Sequence, residues 1–262
     1  MSEPGTGRPV LYTFVTSPYG AKAHAGLLFK GADFQLRYVN PVGLAQRLPS
    51  GRQIPVLSTP DGDLHGSDAI LYALDELYPD APRLLPDDAF LRAQAIAFND
   101  WVSEVLIPSL FASVYLSAAR GSGRVIRDGW RLGRAMRATS EGGLPRVAPY
   151  LWPWLLRRQG FVRDLARQAA GLGSAAERSA IIARRLDEAL AGGPFFFQKA
   201  EPGLADVVAY AVLYPSRCLA LEGIRRDMAP VAEMVDDWMR RMAERLAGGP
   251  PLIPDNLNVC PL

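Results

Sequence analysis

The feature that most constrains this chain is a change of hydrophobic period near residue 80. Before it, short apolar runs switch between strand and helix spacing. After it, helix spacing is almost the only pattern. Residues 10–15 (VLYTFV) are β-branched and aromatic and read as a strand. A turn, Thr16-Ser17-Pro18-Tyr19-Gly20, leads into a helix over 21–30 with Gly31 as its stop. Residues 34–39 (FQLRYV) alternate as a strand with one buried face, and 41–48 read as a short irregular or helical piece. Gln53-Ile54-Pro55 enters another strand, Asp61-Gly62 signals a hairpin turn, and 63–65 return. Residues 67–78 read as a helix with Ser67 placed to cap it. The order βαβ then ββα implies two parallel strands joined by a crossover.

Residues 79–88 (PDAPRLLPDD) are rich in Pro and Asp. Beyond them 90–119, 175–190, 204–221 and 229–246 carry helical apolar spacing. The expected organisation is an α/β domain over 8–80, a linker at 81–88 and an all-helical domain over 89–250. A chain of 262 residues is long enough to give each domain its own core.

Charge is unevenly spread. Residues 124–167 hold ten arginines against Asp128, Glu141 and Asp164, a net of +7 in a chain whose total is +2. That total is too small to imply a nucleic-acid partner. The segment also carries Trp130, Trp152 and Trp154, and three readings fit it. It is a solvated helical hairpin, a contact for an anionic membrane or protein surface, or a lid over an acidic substrate. Two distant cysteines, Cys218 and Cys260, make no disulfide framework, which points to a reducing, cytoplasmic compartment. The first eight residues carry no apolar leader, and no run is long enough to span a bilayer.

Three short motifs carry chemistry. Ser17-Pro18-Tyr19-Gly20 lies where a strand gives way to a helix, whose first turn offers free N–H groups and a positive dipole end. A thiolate there is stabilised, and a Ser hydroxyl at the same point can donate to it. The plain alternative is a turn that opens a helix. Gln53-Ile54-Pro55 either contains a cis peptide that turns the Ile54 backbone outward or is a trans Pro starting an edge strand. Gly66-Ser67-Asp68 is either a carboxylate site at a helix start or a plain cap. No cysteine stands in the turn, which excludes disulfide exchange there. No Cys/His cluster has metal-ligand spacing.

In order and spacing these motifs resemble the N-terminal domain of the glutathione S-transferase superfamily. Ser17-Pro18-Tyr19-Gly20 is similar to the active-site turn of its Ser- and Cys-type members. Gln53-Ile54-Pro55-Val56-Leu57 resembles the family's cis-Pro segment, in which the residue before Pro pairs with the cysteinyl backbone of glutathione. Ser67 matches the Ser that holds the γ-glutamyl carboxylate. Pro202-Gly203-Leu204-Ala205-Asp206 resembles the capping box that starts the central helix of the second domain, with Gly203 replacing the usual Ser or Thr. A long basic insert resembles the metaxin and failed-axon-connections branch.

The resemblance implies a thioredoxin-like domain followed by an all-α domain, and a glutathione transferase with glutathione as co-substrate and no metal. Ser17 would be the catalytic hydroxyl with Tyr19 as the alternative. Gln53, Ile54, Pro55, Ser67 and Asp68 would bind glutathione. It further implies a homodimer with a detoxification role and an apolar electrophile pocket from Phe98, Trp101, Val102, Val105 and Tyr115, residues that read equally as core. Position 66 departs from the pattern: Gly stands where Glu or Gln is usual, and one glutathione contact is missing. Two rivals follow, a non-catalytic interaction or membrane-surface protein of the same fold and a glutathione-dependent lyase or isomerase.

Overall fold

The computed structural model describes residues 7–42, 48, 53–115 and 123–259. Most of the 41–48 piece, Cys260, and the side chains of Tyr115, Arg124 and Arg157 lie outside the described residues.

Four strands form one mixed sheet in the order β2-β1-β3-β4. β1 (Val10–Thr13) lies centrally, parallel to β2 (Gln35–Tyr38) and antiparallel to β3 (Val56–Thr59). β4 (Gly62–His65) closes the hairpin with Thr59 opposite Gly62. Leu11 and Leu57 face each other across β1 and β3, and both are fully buried.

Two helices follow their strands as expected, with shifted starts. α1 (Pro18–Phe29) begins three residues earlier than the sequence suggests, because Ser17 Oγ accepts the Gly20 N–H at 3.1 Å and caps it. Pro18 sits in its first turn, where a missing N–H costs nothing. α2 (Ser67–Leu77) reverses an expectation: Ser67 is its first residue and Gly66 takes the cap position, with no side-chain cap bond. Gly66 has φ +86°, a conformation that suits glycine. α1 and α2 approach closely at Gly26, where an added Cβ would stand 2.6 Å from Leu71.

The link to the helical domain is pinned. Asp75 pairs with Lys30 at 2.6 Å and accepts the N–H groups of Leu84 and Leu85 at 2.8 and 2.9 Å. Leu84 in turn accepts the N–H of Leu204.

The expected helix over 90–119 is three pieces: α3 (Ala89–Trp101), a π-helical turn (Val102–Leu106) and α4 (Ile107–Tyr115). The basic insert is α5 (Gly123–Thr139), α6 (Ala148–Arg158) and α7 (Gly160–Gly171). α8 (Ala175–Leu190) carries a full capping box between Ser174 and Glu177. α9 (Leu204–Cys218) is the buried central helix and packs against α1. It stops short of the expected 221, where Ala220 takes φ +46°, and a separate α10 (Glu222–Asp227) follows. Asp128 on α5 accepts the Glu222 and Gly223 N–H groups at 2.8 and 2.7 Å and so caps that helix. α11 (Ala229–Arg245) completes the bundle.

Asp206 is buried, as a capping residue of a central helix should be. Its carboxylate accepts from the N–H groups of Gly203 (3.0 Å) and Phe196 (2.9 Å) and from Trp238 Nε1 (2.8 Å). Burial raises its pKa against the pull of those three donors.

Candidate active site

Two clefts meet at the start of α1. One is polar and open, about 410 Å³, and lined by Tyr19, Gln53, Ile54, Pro55, His65 and the first residues of α2, Gly66 to Ala69. The other is apolar and lies between the domains. Val15 to Pro18 form one wall, and Ile107, Leu110, Phe111 and Val114 of α4 form another. Val212 and Pro215 of α9 close it. None of the lining residues is charged. Ser17 faces the apolar cleft and Tyr19 the polar one, with Pro18 between them.

The structure therefore brings all seven sequence-predicted site residues to one place. The Ile54–Pro55 peptide is cis. Pro55 is buried and its carbonyl accepts the Gly66 N–H at 2.9 Å, which ties this loop to the start of α2. Ser17 Oγ uses an acceptor site on the Gly20 N–H, so its proton can be donated elsewhere. The Tyr19 phenol is different. Burial, and then the Asp68 carboxylate beside it, push its pKa above the ordinary value. Tyr12 and Tyr38, the other tyrosines of this domain's first strands, line neither cleft.

Asp68 anchors the polar end. Lys22 Nζ donates to its Oδ1 at 2.9 Å, Asn99 Nδ2 at 3.1 Å and Ser67 Oγ at 3.3 Å. Burial alone would raise the Asp68 pKa, but the Lys22 ammonium and these hydrogen bonds outweigh it and hold the carboxyl below its usual value. The side chain is 48% exposed while that of Lys22 is 0% exposed. The carboxylate thus faces the cleft with a buried cation behind it. Lys22 also donates to Ser103 Oγ at 2.9 Å, and Asn99 donates to Tyr72 at 3.0 Å, so the network crosses from the α/β domain to α3 and the π turn.

Lys22, Asn99 and Ser103 escape a motif reading. The available signal is faint: Lys22 is the one charged residue in the Ala/Gly-rich stretch of α1, three residues after Tyr19. The gap at Gly66 also has a spatial account. A Cβ there would stand 3.5 Å from the Gln53 carboxamide, so Gln53 occupies the neighbourhood that a longer residue 66 would reach.

The expected apolar wall is corrected. Phe98 and Val102 are fully buried, and Phe98 packs on Trp101, Phe196 and Phe197 instead of lining a cleft. Neither Trp101 nor Val105 lines it. The π turn is the physical reason. Its extra residue rotates everything after it, so the face continued from Phe98 turns into the core and α4 presents Ile107, Leu110, Phe111 and Val114.

Residues 11–82 match the family described as glutathione S-transferase, N-terminal domain. This domain belongs to the glutathione S-transferase superfamily. Glutathione S-transferase U22 of Arabidopsis thaliana is 33% identical over 102 residues, 37% of this chain and 46% of that protein. The chain thus spans about half the length of the curated relatives it matches. The superfamily fold extends further than that match. The Tau class glutathione S-transferase of mango, Mangifera indica, superposes with a TM-score of 0.58 at 19% identity, covering 96% of this chain and 94% of its own. Rice GST1, solved in complex with glutathione, superposes at 0.54 with 22% identity over 90% and 88%. These likenesses show a thioredoxin-like domain followed by an all-α domain.

The polar cleft suits glutathione on its own chemistry. The amides opening α2 and the Ser67 hydroxyl fit a carboxylate, Asp68 fits an ammonium group, and the Ile54 backbone fits an extended peptide. Among the described residues no group of His, Cys, Asp and Glu could hold a metal ion.

Proposed function

We propose that the protein is a glutathione transferase that joins glutathione to a small, uncharged, apolar electrophile. The observation that carries this reading is the meeting of a polar, peptide-suited cleft and an uncharged apolar cleft at Ser17. Ser67 and the α2 amides hold the γ-glutamyl carboxylate, Asp68 the ammonium, and Ile54 the cysteinyl backbone. Ser17 donates its hydroxyl proton to the substrate sulfur and lowers the thiol pKa, which raises the concentration of nucleophile near neutrality. The sulfur forms a bond to the electrophilic carbon. Its own proton has passed to solvent, and the leaving group departs with its electron pair, or an acceptor alkene takes up a proton. Absence of any charged residue from the apolar lining favours a neutral partner over the acidic substrate that a basic lid would serve. On the resemblance the protein is also proposed to act as a cytoplasmic homodimer in detoxification.

Calorimetric titration with glutathione, together with conjugation of a chlorinated nitrobenzene, tests the reading. Wild type should bind at millimolar ligand or below. Ser17→Ala should keep binding and lose roughly 10- to 100-fold in kcat, with its pH profile displaced upward. Tyr19→Phe should change kcat by less than about threefold. No heat from wild type at millimolar glutathione would sink the proposal. Equal losses in the two variants would remove the assignment to Ser17.

A further inference from the structure

α6 is built so that its apolar side faces out. Its inward side is fixed by α5. Pro149, Trp152 and Pro153 lie against Gly133 and Gly129, where added Cβ atoms would stand 2.7 Å from Pro149 Cα and 2.6 Å from Pro153 Cγ. The opposite side of the helix must then meet solvent. It carries Tyr150, Leu151, Trp154 and Leu155, which are 73, 50, 52 and 36% exposed. At about 100° per residue these four span roughly 140° of the helix. Phe161, 54% exposed at the start of α7, extends the same apolar ground. Scattered exposed apolar residues need no account, but a whole helix face of them marks an interaction surface.

The rim of this face is cationic. Arg146, Arg158 and Arg163 are exposed, and the Arg158 guanidinium lies 3.8 Å above the Trp154 ring. The three acids of the segment are engaged elsewhere. Asp128 is buried beneath α10, Asp164 pairs with Arg167 at 2.6 Å, and Glu141 sits 3.7 Å from Arg37.

We propose that the outward face of α6 docks on an anionic membrane surface. Tyr150, Leu151, Trp154 and Leu155 enter the boundary between headgroups and acyl chains, and the flanking arginines meet lipid phosphates. No described helix is long and apolar enough to cross a bilayer, so the contact lies in the plane of the interface. Charge decides between lipid and a second copy of this chain. A twofold interface would set the patch against itself, arginine rim against arginine rim. An anionic bilayer supplies the opposite sign. This inference does not rest on the transferase reading.

Co-sedimentation tests it, using vesicles of equal parts phosphatidylcholine and phosphatidylglycerol, with pure phosphatidylcholine as the control. Wild type should pellet with the anionic vesicles at about 0.1 M salt, and this binding should fall steeply toward 1 M as screening shortens the reach of the arginines. Leu151→Ser with Trp154→Ser should weaken binding about tenfold, and Arg146→Glu with Arg158→Glu at least as much. All four positions are exposed, so far-ultraviolet circular dichroism should be unchanged in both variants. Equal pelleting with neutral vesicles, no pelleting with anionic ones, or binding unaffected by both variants would overturn the proposal. So would a dimer, seen by sedimentation velocity, that the Leu151/Trp154 variant dissociates while vesicles take up nothing. Glutathione titration of each variant reads the transferase site separately.

Discussion

At the scale of single residues, the site depends on a charge that touches no substrate. Lys22 is wholly buried, and burial pushes its ammonium pKa down while Asp68 pulls it back up. Breaking such a pair from one side leaves the other group uncompensated. Lys22→Met removes the largest of the influences that hold the Asp68 carboxyl low, and frees a side chain that is 48% exposed and can rotate away from the cleft. The expected result is a several-fold rise in KM for glutathione with kcat within about twofold, and a loss of about 1–3 kcal/mol in urea unfolding. An unchanged KM would show that Asp68 is positioned without Lys22. What the sequence makes legible at this scale is the set of residues that sit in contiguous motifs, Ser17, Ile54, Pro55 and Ser67. Each is fixed by a local backbone feature, a cap or a turn, that a few neighbours specify. Lys22, Asn99 and Ser103 belong to a contact between two domains, and no short stretch of chain encodes that contact.

Elements were legible where one apolar period runs unbroken. α8 occupies the residues its spacing suggests, and α11 differs by one at its end. The period fails where the backbone changes its own geometry. The π turn at Val102–Leu106 adds a residue within a run that reads as one helix, and so the apolar face inferred for the electrophile is core. The insert fails differently. Its composition shows charge and tryptophan but hides the feature that organises it, the Gly129 and Gly133 pair one turn apart on α5. Small residues at that spacing let α6 approach until its prolines touch the α5 backbone groove. Gly133→Ala places a methyl 2.7 Å from Pro149 Cα, a backbone atom that cannot swing aside. The substitution should destabilise by about 1–3 kcal/mol despite alanine's higher helix propensity, read as a fall in thermal midpoint. Gly171→Ala meets open space on α7 and should be neutral or stabilising. Equal behaviour of the two would mean that α5 and α6 do not pack this tightly in solution.

For the whole molecule, the sheet domain and the bundle are joined at both faces of α1. One side packs on α2 and the other on α9, and a third tie comes from the far end of the chain. His24 Nε2 lies 2.9 Å from the Pro250 carbonyl, and its ring meets Phe34 edge-on at 5.5 Å. With a carbonyl as partner, the neutral tautomer donates from Nε2, and no acceptor is needed for a second proton. Burial lowers the His24 pKa from 6.5 to about 4, only partly offset by the Pro250 carbonyl. Between those values the unfolded chain binds the proton and the folded chain does not. Stability from this group is therefore complete above pH 6.5 and is lost as pH falls toward 4, by on the order of 3 kcal/mol. Other buried groups act in the same range with the opposite sign. Burial raises the pKa of Asp128 and of Asp206, so protonation of each favours the fold as acid is added. Asp68 and Asp75 are held low and lose their contribution only at lower pH still. The net slope of wild type mixes these terms, and the difference from a variant isolates one. His24→Gln keeps a donor for the Pro250 carbonyl and cannot gain a proton. It should be less stable than wild type at pH 7.5, through lost packing, and that deficit should shrink or reverse by pH 4.5. Urea unfolding of both proteins across this range measures it. A deficit constant with pH would show that His24 is protonated in the fold, and that the tie between α1 and the chain's last residues opens in acid without separating the domains.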